Sequence, residues 1–213
     1  MIFRDRIEAG EKLASELFKY KNKEDTVIIG LPRGGVPVAY EVAERLNLPM
    51  DIVCPRKIGA PMNKEFAIGA ITETGEGIFD TNTIARLHIP KEYIDEEVKA
   101  EKVEAQHRLE AYREGRPPRN LKDKTVLIID DGLATGSTMK AAIKSIKAEG
   151  AKKIVVAVPV SPPDTVAEVR DIVDEVVCLD APIFFQAVGQ FYEDFRPTED
   201  EEVVELMKIS RQG

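Results

Sequence analysis

The sequence predicts an α/β fold: a central, mostly parallel sheet flanked by helices, with a small C-terminal section and an inserted segment that carries a long helix. Three observations predict it. Short apolar runs that read as buried strands recur at 26–30, 126–129, 153–159 and 175–178. Amphipathic helical patterns follow them, and such βαβ alternation favours parallel strands joined by right-handed crossovers. Twice a run opens into a loop of glycine and polar residues ahead of a helix, and in open α/β sheets ligands bind at that end of the strands.

The elements follow in order. Residues 5–20 read as a helix that Asp5 can cap, with Ile7, Leu13, Leu17 and Phe18 as its apolar stripe. Strand 26–30 leads into Leu31-Pro32-Arg33-Gly34-Gly35-Val36 and a helix with Val38, Val42, Ala43 and Leu46 inside. Strand 51–54 feeds Pro55-Arg56-Lys57-Ile58-Gly59-Ala60-Pro61, which reads as a basic loop. Residues 63–79, with Phe66, Ile68, Ala70 and Ile71 before Gly75 and Gly77, suggest a hairpin or flap. A charged helix spans 91–114, with Ile94, Val98, Ala105, Leu109 and Tyr112 near one face, and Gly115, Pro117 and Pro118 end it. So narrow a stripe predicts a helix on the surface or against a second subunit, which makes it the candidate interface of a homodimer. A helix from about Thr138 to Glu149, strand 153–159, a helix near 164–172 and strand 175–178 complete the alternation. Val160 and Ser161 fall at a strand end on the ligand side. An aromatic section, 182–195, and a helix near 199–209 close the chain.

Composition narrows the function. The chain has 213 residues, enough for one domain: a core of about 1–180 with an insertion at 56–120, then an appendage at about 181–213. Its net charge of −8 argues against a general nucleic-acid surface or an anionic membrane surface. No run of 18 apolar residues is present and the first residues lack a signal-like apolar stretch, so the expected location is the cytoplasm. Cys54 and Cys178 stand far apart in apolar surroundings and are expected as free, buried thiols. His88 and His107 lie in the polar middle section without metal-ligand spacing and are expected at the surface.

The most informative stretch is Val126-Leu-Ile-Ile-Asp-Asp-Gly-Leu-Ala-Thr-Gly-Ser-Thr138. Gly132 and Gly136 let the backbone turn tightly and approach a ligand. The N–H groups of Ala134, Thr135, Gly136, Ser137 and Thr138 would converge at a helix start, where free donors and the helix dipole attract an anion. Asp130 and Asp131 suit something neutral or cationic beside that anion, either sugar hydroxyls or Mg²⁺. A phosphorylated sugar satisfies both halves. The stretch is not a P-loop, because the required Lys is absent.

These thirteen residues closely resemble the phosphoribosyl-pyrophosphate (PRPP) signature of type I phosphoribosyltransferases. The resemblance implies that Asp130 and Asp131 hold the ribose hydroxyls, with a weaker role toward Mg²⁺ through water, and that Ala134 to Thr138 hold the 5′-phosphate. Pro32-Arg33-Gly34-Gly35 resembles the family's pyrophosphate loop, which often contains a cis peptide; here it would involve Pro32, Arg33 or Gly34. Arg33, Asp130 and Asp131 are thus the implied catalytic residues, Gly34 and Gly35 line the pyrophosphate site, and Arg56 or Lys57 could reach pyrophosphate or substrate. The section from Pro182 resembles the family's hood, with Phe184 or Phe185 as the residue that stacks on a base. The resemblance extends over essentially the whole chain, to microbial members of unassigned acceptor. It implies the type I phosphoribosyltransferase fold, PRPP and a nucleobase-like partner, and Mg²⁺ as cofactor. The rival reading is a PRPP-sensing regulator without catalysis.

Overall fold

The computed structural model describes residues 1–75 and 77–210. Helix α1 (Arg6–Glu16) leads to strand β1 (Thr26–Gly30), helix α2 (Gly35–Leu46) and strand β2 (Met50–Ile52). An inserted unit follows: strands β3 (Arg56–Ala60), β4 (Asn63–Ile71) and β5 (Gly77–Phe79), then helices α3 (Thr81–Arg86) and α4 (Lys91–Arg113). The chain returns through β6 (Thr125–Ile129), α5 (Ser137–Ala148), β7 (Lys153–Val160), α6 (Pro163–Arg170) and β8 (Glu175–Asp180), and α7 (Asp200–Ile209) comes last.

Five strands form one parallel sheet in the order β2-β1-β6-β7-β8. Strands β1 and β6 are buried along their whole length, as near-continuous apolar runs predict for a sheet covered on both faces. Alternate residues serve opposite faces. Ile28, Leu127, Ile129 and Val155 pack with residues of α1, α2, α4 and α7, whereas Val27, Ile29, Val126 and Val156 pack with α5 and α6. Helix α2 therefore leaves β1 toward one face, and α5 leaves the neighbouring β6 toward the other. The strand order reverses between these two strands, and that divergence opens a crevice at their carboxyl ends.

Helix α1 is capped as expected, with the Glu8 N–H donating to Asp5 at 2.8 Å. It stops at Glu16 rather than near 20, and residues Phe18–Tyr20 tighten into a 3₁₀ turn. Ile7 and Phe18 are exposed; Ala9, Leu13, Ala14 and Leu17 form the buried stripe. The turn aims Tyr20 at a polar cluster below the sheet. Glu175 accepts from the Tyr20 hydroxyl at 2.7 Å and lies 2.6 Å from Lys19 and 3.1 Å from Lys153. Burial alone would raise the Glu175 pKa, but hydrogen bonds from Lys19, Tyr20 and Lys153 outweigh it and lower it to about 2. A carboxyl depressed by folding stabilises the protein above its unfolded pKa, and that stability is lost as pH falls through the folded value. Glu175→Gln is thus expected to cost about 1 kcal/mol at pH 7, the modest size reflecting solvent screening. In denaturant titrations the gap to the unaltered chain should close as pH falls from about 4.5 toward about 2.

The inserted unit departs most from expectation. The basic stretch 56–60 is a strand, not a loop, and β3-β4-β5 form a three-stranded antiparallel sheet. Ile58, Ile68, Ile71 and Ile89 give it a core of its own, with Phe79, Ile84, Tyr93, Ile94 and Val98 packed alongside. The alternation in Arg56-Lys57-Ile58 is hard to read as a strand because Gly59 and Pro61 flank it. Helix α4 is likewise not a surface helix throughout. Its second half enters the main core through Ala105, Leu109 and Tyr112. The Tyr112 hydroxyl also donates to Asp200 on α7, and Arg113 donates to buried Asp51 at 3.0 Å. The stripe thus packs within the chain instead of awaiting a second subunit.

Smaller boundaries also shift. Strand β2 runs Met50–Ile52, with Val53 and Cys54 buried beyond it. Strand β7 reaches Val160, and α6 begins at Pro163 and ends at Arg170. Cys54 is buried and Cys178 half-buried, both free, and both histidines are exposed. The C-terminal section folds over the N-terminus: Phe3 donates to the Phe191 carbonyl and accepts from the Glu193 N–H, both at 2.8 Å. Among the described residues, no helix is long and apolar enough to cross a membrane.

Candidate functional site

The loops after β1 and β6 meet at the crevice. The Pro32–Arg33 peptide is cis, within the loop where the resemblance implies one. The Leu31 N–H donates to the Ile129 carbonyl at 3.0 Å, tying the first loop to the end of β6. Its two glycines press against the acid pair. A Cβ on Gly34 would lie 2.1 Å from Asp131 Oδ2, and one on Gly35 would lie 2.8 Å from Asp130 Cα and 2.9 Å from the Ile129 carbonyl. Backbone leaves no room for a side chain at Gly35, and one at Gly34 would force the Asp131 carboxylate aside, so the pairing of these loops depends on glycine.

The second loop turns at Gly136, whose φ of +70° is a conformation that favours glycine. Gly136 stands immediately before α5 and offers no side-chain cap, which leaves the first-turn amides of Ser137 and Thr138 open to an external acceptor. The hydroxyls of Thr135 and Ser137 are 3.1 Å apart. From α6, Thr165 donates to the Ala134 carbonyl at 2.8 Å and buttresses the loop. Val160 and Ser161 are fully buried. Val160 accepts from the Leu133 N–H at 2.9 Å and packs beside Gly132, so these residues back the loop rather than face an open cleft.

Asp131 meets a cation that the sequence did not suggest. Arg6, in the first turn of α1, places Nε and Nη2 each 2.9 Å from Asp131 Oδ2. Its Nη1 donates to the Arg196 carbonyl at 2.8 Å, and its guanidinium stacks 4.0 Å from the centre of the Phe195 ring. The Tyr192 hydroxyl donates to the Asp131 carbonyl at 2.6 Å. Burial raises the pKa of Asp131, opposed by the charge and hydrogen bonds of Arg6. Burial and the neighbouring Asp131 charge hold Asp130 well above the usual carboxylate range. Both carboxyls are only partly buried, so a ligand's hydroxyls can still reach them. A weak clue to Arg6 did exist: a cation in a helix's first turn is disfavoured by the helix dipole, which a tertiary acidic partner offsets. Tyr192 and Thr165 gave no signal, since each is brought in by packing alone.

The remaining candidates divide. Arg33 is exposed beside the crevice, with Nη1 3.8 Å from both Glu199 Oε2 and Asp200 Oδ1. Arg56 is drawn to Glu101 of α4 at 2.7 Å. Lys57 is exposed, and as the next strand residue it points to the opposite face from Arg56. At most one of the two can face a common ligand. Phe185 stacks on Phe191 with ring centres 5.2 Å apart, whereas Phe184 is 92% exposed. Of the two aromatic candidates, only Phe184 is not already packed.

Known proteins resemble this chain over nearly its whole length. The model of the phosphoribosyl transferase domain matches residues 3–196. A Mycobacterium tuberculosis protein, named only provisionally as a phosphoribosyl transferase, is 43% identical over 97% of this chain and 46% of its own length. The chain thus spans about half the length of the curated relatives it matches. The crystal structure of TT1426 from Thermus thermophilus superposes with a TM-score of 0.83 at 42% identity, covering 97% of this chain and 98% of that one. A protein of Clostridioides difficile named uracil phosphoribosyltransferase is 37% identical over a shorter stretch, 28% of each chain.

Proposed function

The chain belongs to the phosphoribosyl transferase domain family, and from that premise we propose that it transfers the 5-phosphoribosyl group of PRPP to a nitrogenous base and releases pyrophosphate. One observation carries the reading: the Gly34-Gly35 backbone packs directly on the Asp130-Asp131 pair, so an anion-binding loop and a hydroxyl-binding acid pair share one crevice. The 5′-phosphate accepts from the loop amides and hydroxyls of Ala134, Thr135, Gly136, Ser137 and Thr138. Asp130 and Asp131 accept from the ribose hydroxyls. Gly34 donates its backbone N–H to the pyrophosphate, Gly35 lets the chain approach it while its own N–H stays on the Leu31 carbonyl at 3.1 Å, and the Arg33 guanidinium swings from its acidic neighbours to meet it.

Breaking the bond at ribose C1 places positive charge on the ring and negative charge on the leaving group. Arg33 stabilises the latter, and the acid pair sits beside the former. The protein's task is to align the incoming nitrogen with C1 and keep water away. Phe184 offers a face to the base. Mg²⁺ fits only as a guest shared with the substrate. Among the described residues no group of three or more His, Cys, Asp or Glu is placed to hold a metal. Asp130 and Asp131 would therefore hold it through water, with the substrate's own oxygens completing the shell. When bound, the ion neutralises charge on the departing pyrophosphate.

The test is pyrophosphate release from PRPP and Mg²⁺ against a panel of purines and pyrimidines. Release that depends on one base is the expected result and names the acceptor. PRPP binding without release for any member would favour the PRPP-sensing regulator and count against transfer to these bases.

A further inference from the structure

We infer that Arg6 is a positioning residue that couples the C-terminal section above the site to the ribose-binding carboxylate of Asp131; this rests on the PRPP reading. Arg6 makes contacts that no other cation on α1 makes. Two of its N–H groups converge on Asp131 Oδ2, at 2.9 Å each, and so fix the plane and direction of the carboxylate. A third holds the Arg196 carbonyl at 2.8 Å, and the guanidinium Cζ lies over the Phe195 ring, 4.0 Å from its centre. Only about a tenth of its side chain is exposed.

The segment that carries Arg6 is itself fastened to that section. Phe3 exchanges two backbone hydrogen bonds with Phe191 and Glu193, and the Asp194 N–H donates to the Arg4 carbonyl at 2.9 Å. Phe3 is fully buried against Tyr192, with ring centres 5.4 Å apart, and Tyr192 in turn donates to the Asp131 carbonyl. Residues 3–6 thus form a strap between 191–196 and the acid pair. Arg6 meets both ends through one rigid planar group, a geometry that a flexible ammonium cannot reproduce. A shift of Phe195 or Arg196 moves the Arg6 fork, and with it the Asp131 carboxylate.

The test is calorimetric titration of the full chain with PRPP and Mg²⁺, with thermal melting in parallel. R6A is expected to raise the Kd for PRPP at least tenfold, and R6K to recover only part of the loss. Millimolar guanidinium should restore affinity to R6A and leave the unaltered chain unchanged, which a merely structural role would not produce. If R6A does not fold, R6K decides: a Kd raised threefold or more supports the assignment, and an unaltered Kd overturns it. Unchanged affinity in both variants overturns the inference alone. Failure of the unaltered chain to bind PRPP overturns the transferase reading and this inference with it.

Discussion

Gly35→Ala is expected to abolish PRPP binding and to destabilise the fold by about 1–3 kcal/mol, the usual cost of overpacking a filled site. The added methyl would meet Asp130 Cα at 2.8 Å and the Ile129 carbonyl at 2.9 Å. Both are backbone atoms at the end of a strand paired on each side, with β1 and with β7, so neither can rotate away as a side chain would. The loop must lift instead, and it takes the Gly34 and Gly35 amides out of register with Asp130 and Asp131. Gly34→Ala should differ in kind. Its methyl would fall 2.1 Å from Asp131 Oδ2, so a side chain is displaced, and the damage should be greater to affinity than to stability. Denaturant unfolding with PRPP titration of both variants separates the two cases. Gly35→Ala with unaltered stability and affinity would show that the loops do not meet as described.

Asp130→Asn is expected to lower PRPP affinity at least tenfold while raising the melting temperature at pH 8 by a few degrees. The affinity loss follows from removing an ionised acceptor, whose hydrogen bonds are worth about 1.5–3 kcal/mol each. The gain in stability follows from the same residue. Burial, reinforced by the Asp131 charge, raises the Asp130 pKa well above its ordinary value. A carboxyl whose folded pKa exceeds its unfolded one costs stability as pH rises from the unfolded value through the folded one. Asparagine carries no such cost and can still accept the Asp131 N–H that Asp130 Oδ1 receives at 2.9 Å. The variant's advantage should therefore be small near pH 4 and grow toward pH 8. Equal melting temperatures across that range would mean that the carboxyl is not strained by its surroundings. Active sites commonly hold such a trade between function and stability.

The stretches that bear the chemistry were legible because each is local. A buried strand, two acids and a glycine turn before a helix occupy consecutive residues 126–138, and short-range sterics and hydrogen bonding decide their conformation. The same holds for 26–36, whose strand and glycine turn both stand where the apolar pattern puts them. Residues 56–60 read as a loop in the sequence because a strand in a small sheet needs a partner, and periodicity within that stretch carries no trace of β4, with which β3 pairs, or of β5 beyond it. For α4, the apolar spacing showed which face is buried but not against what. Ala105, Leu109 and Tyr112 found the main core, and Ile94 and Val98 the smaller one.

The sequence by itself determined the α/β alternation, the two glycine loops at strand ends and the acid pair. Each depends on contacts between near neighbours in the chain. Only the tertiary structure decided that β1 and β6 lie side by side, that Gly35 leaves no room over Asp130, and that Arg6 reaches Asp131 across 125 positions. It also decided that Arg56 turns to Glu101 and that Phe185 is consumed by packing on Phe191. Those outcomes depend on which surfaces come together when two apolar faces are buried at once. A long-range ion pair such as Arg6–Asp131 leaves no period or spacing in the chain, because its partners are joined by the fold and not by the backbone between them.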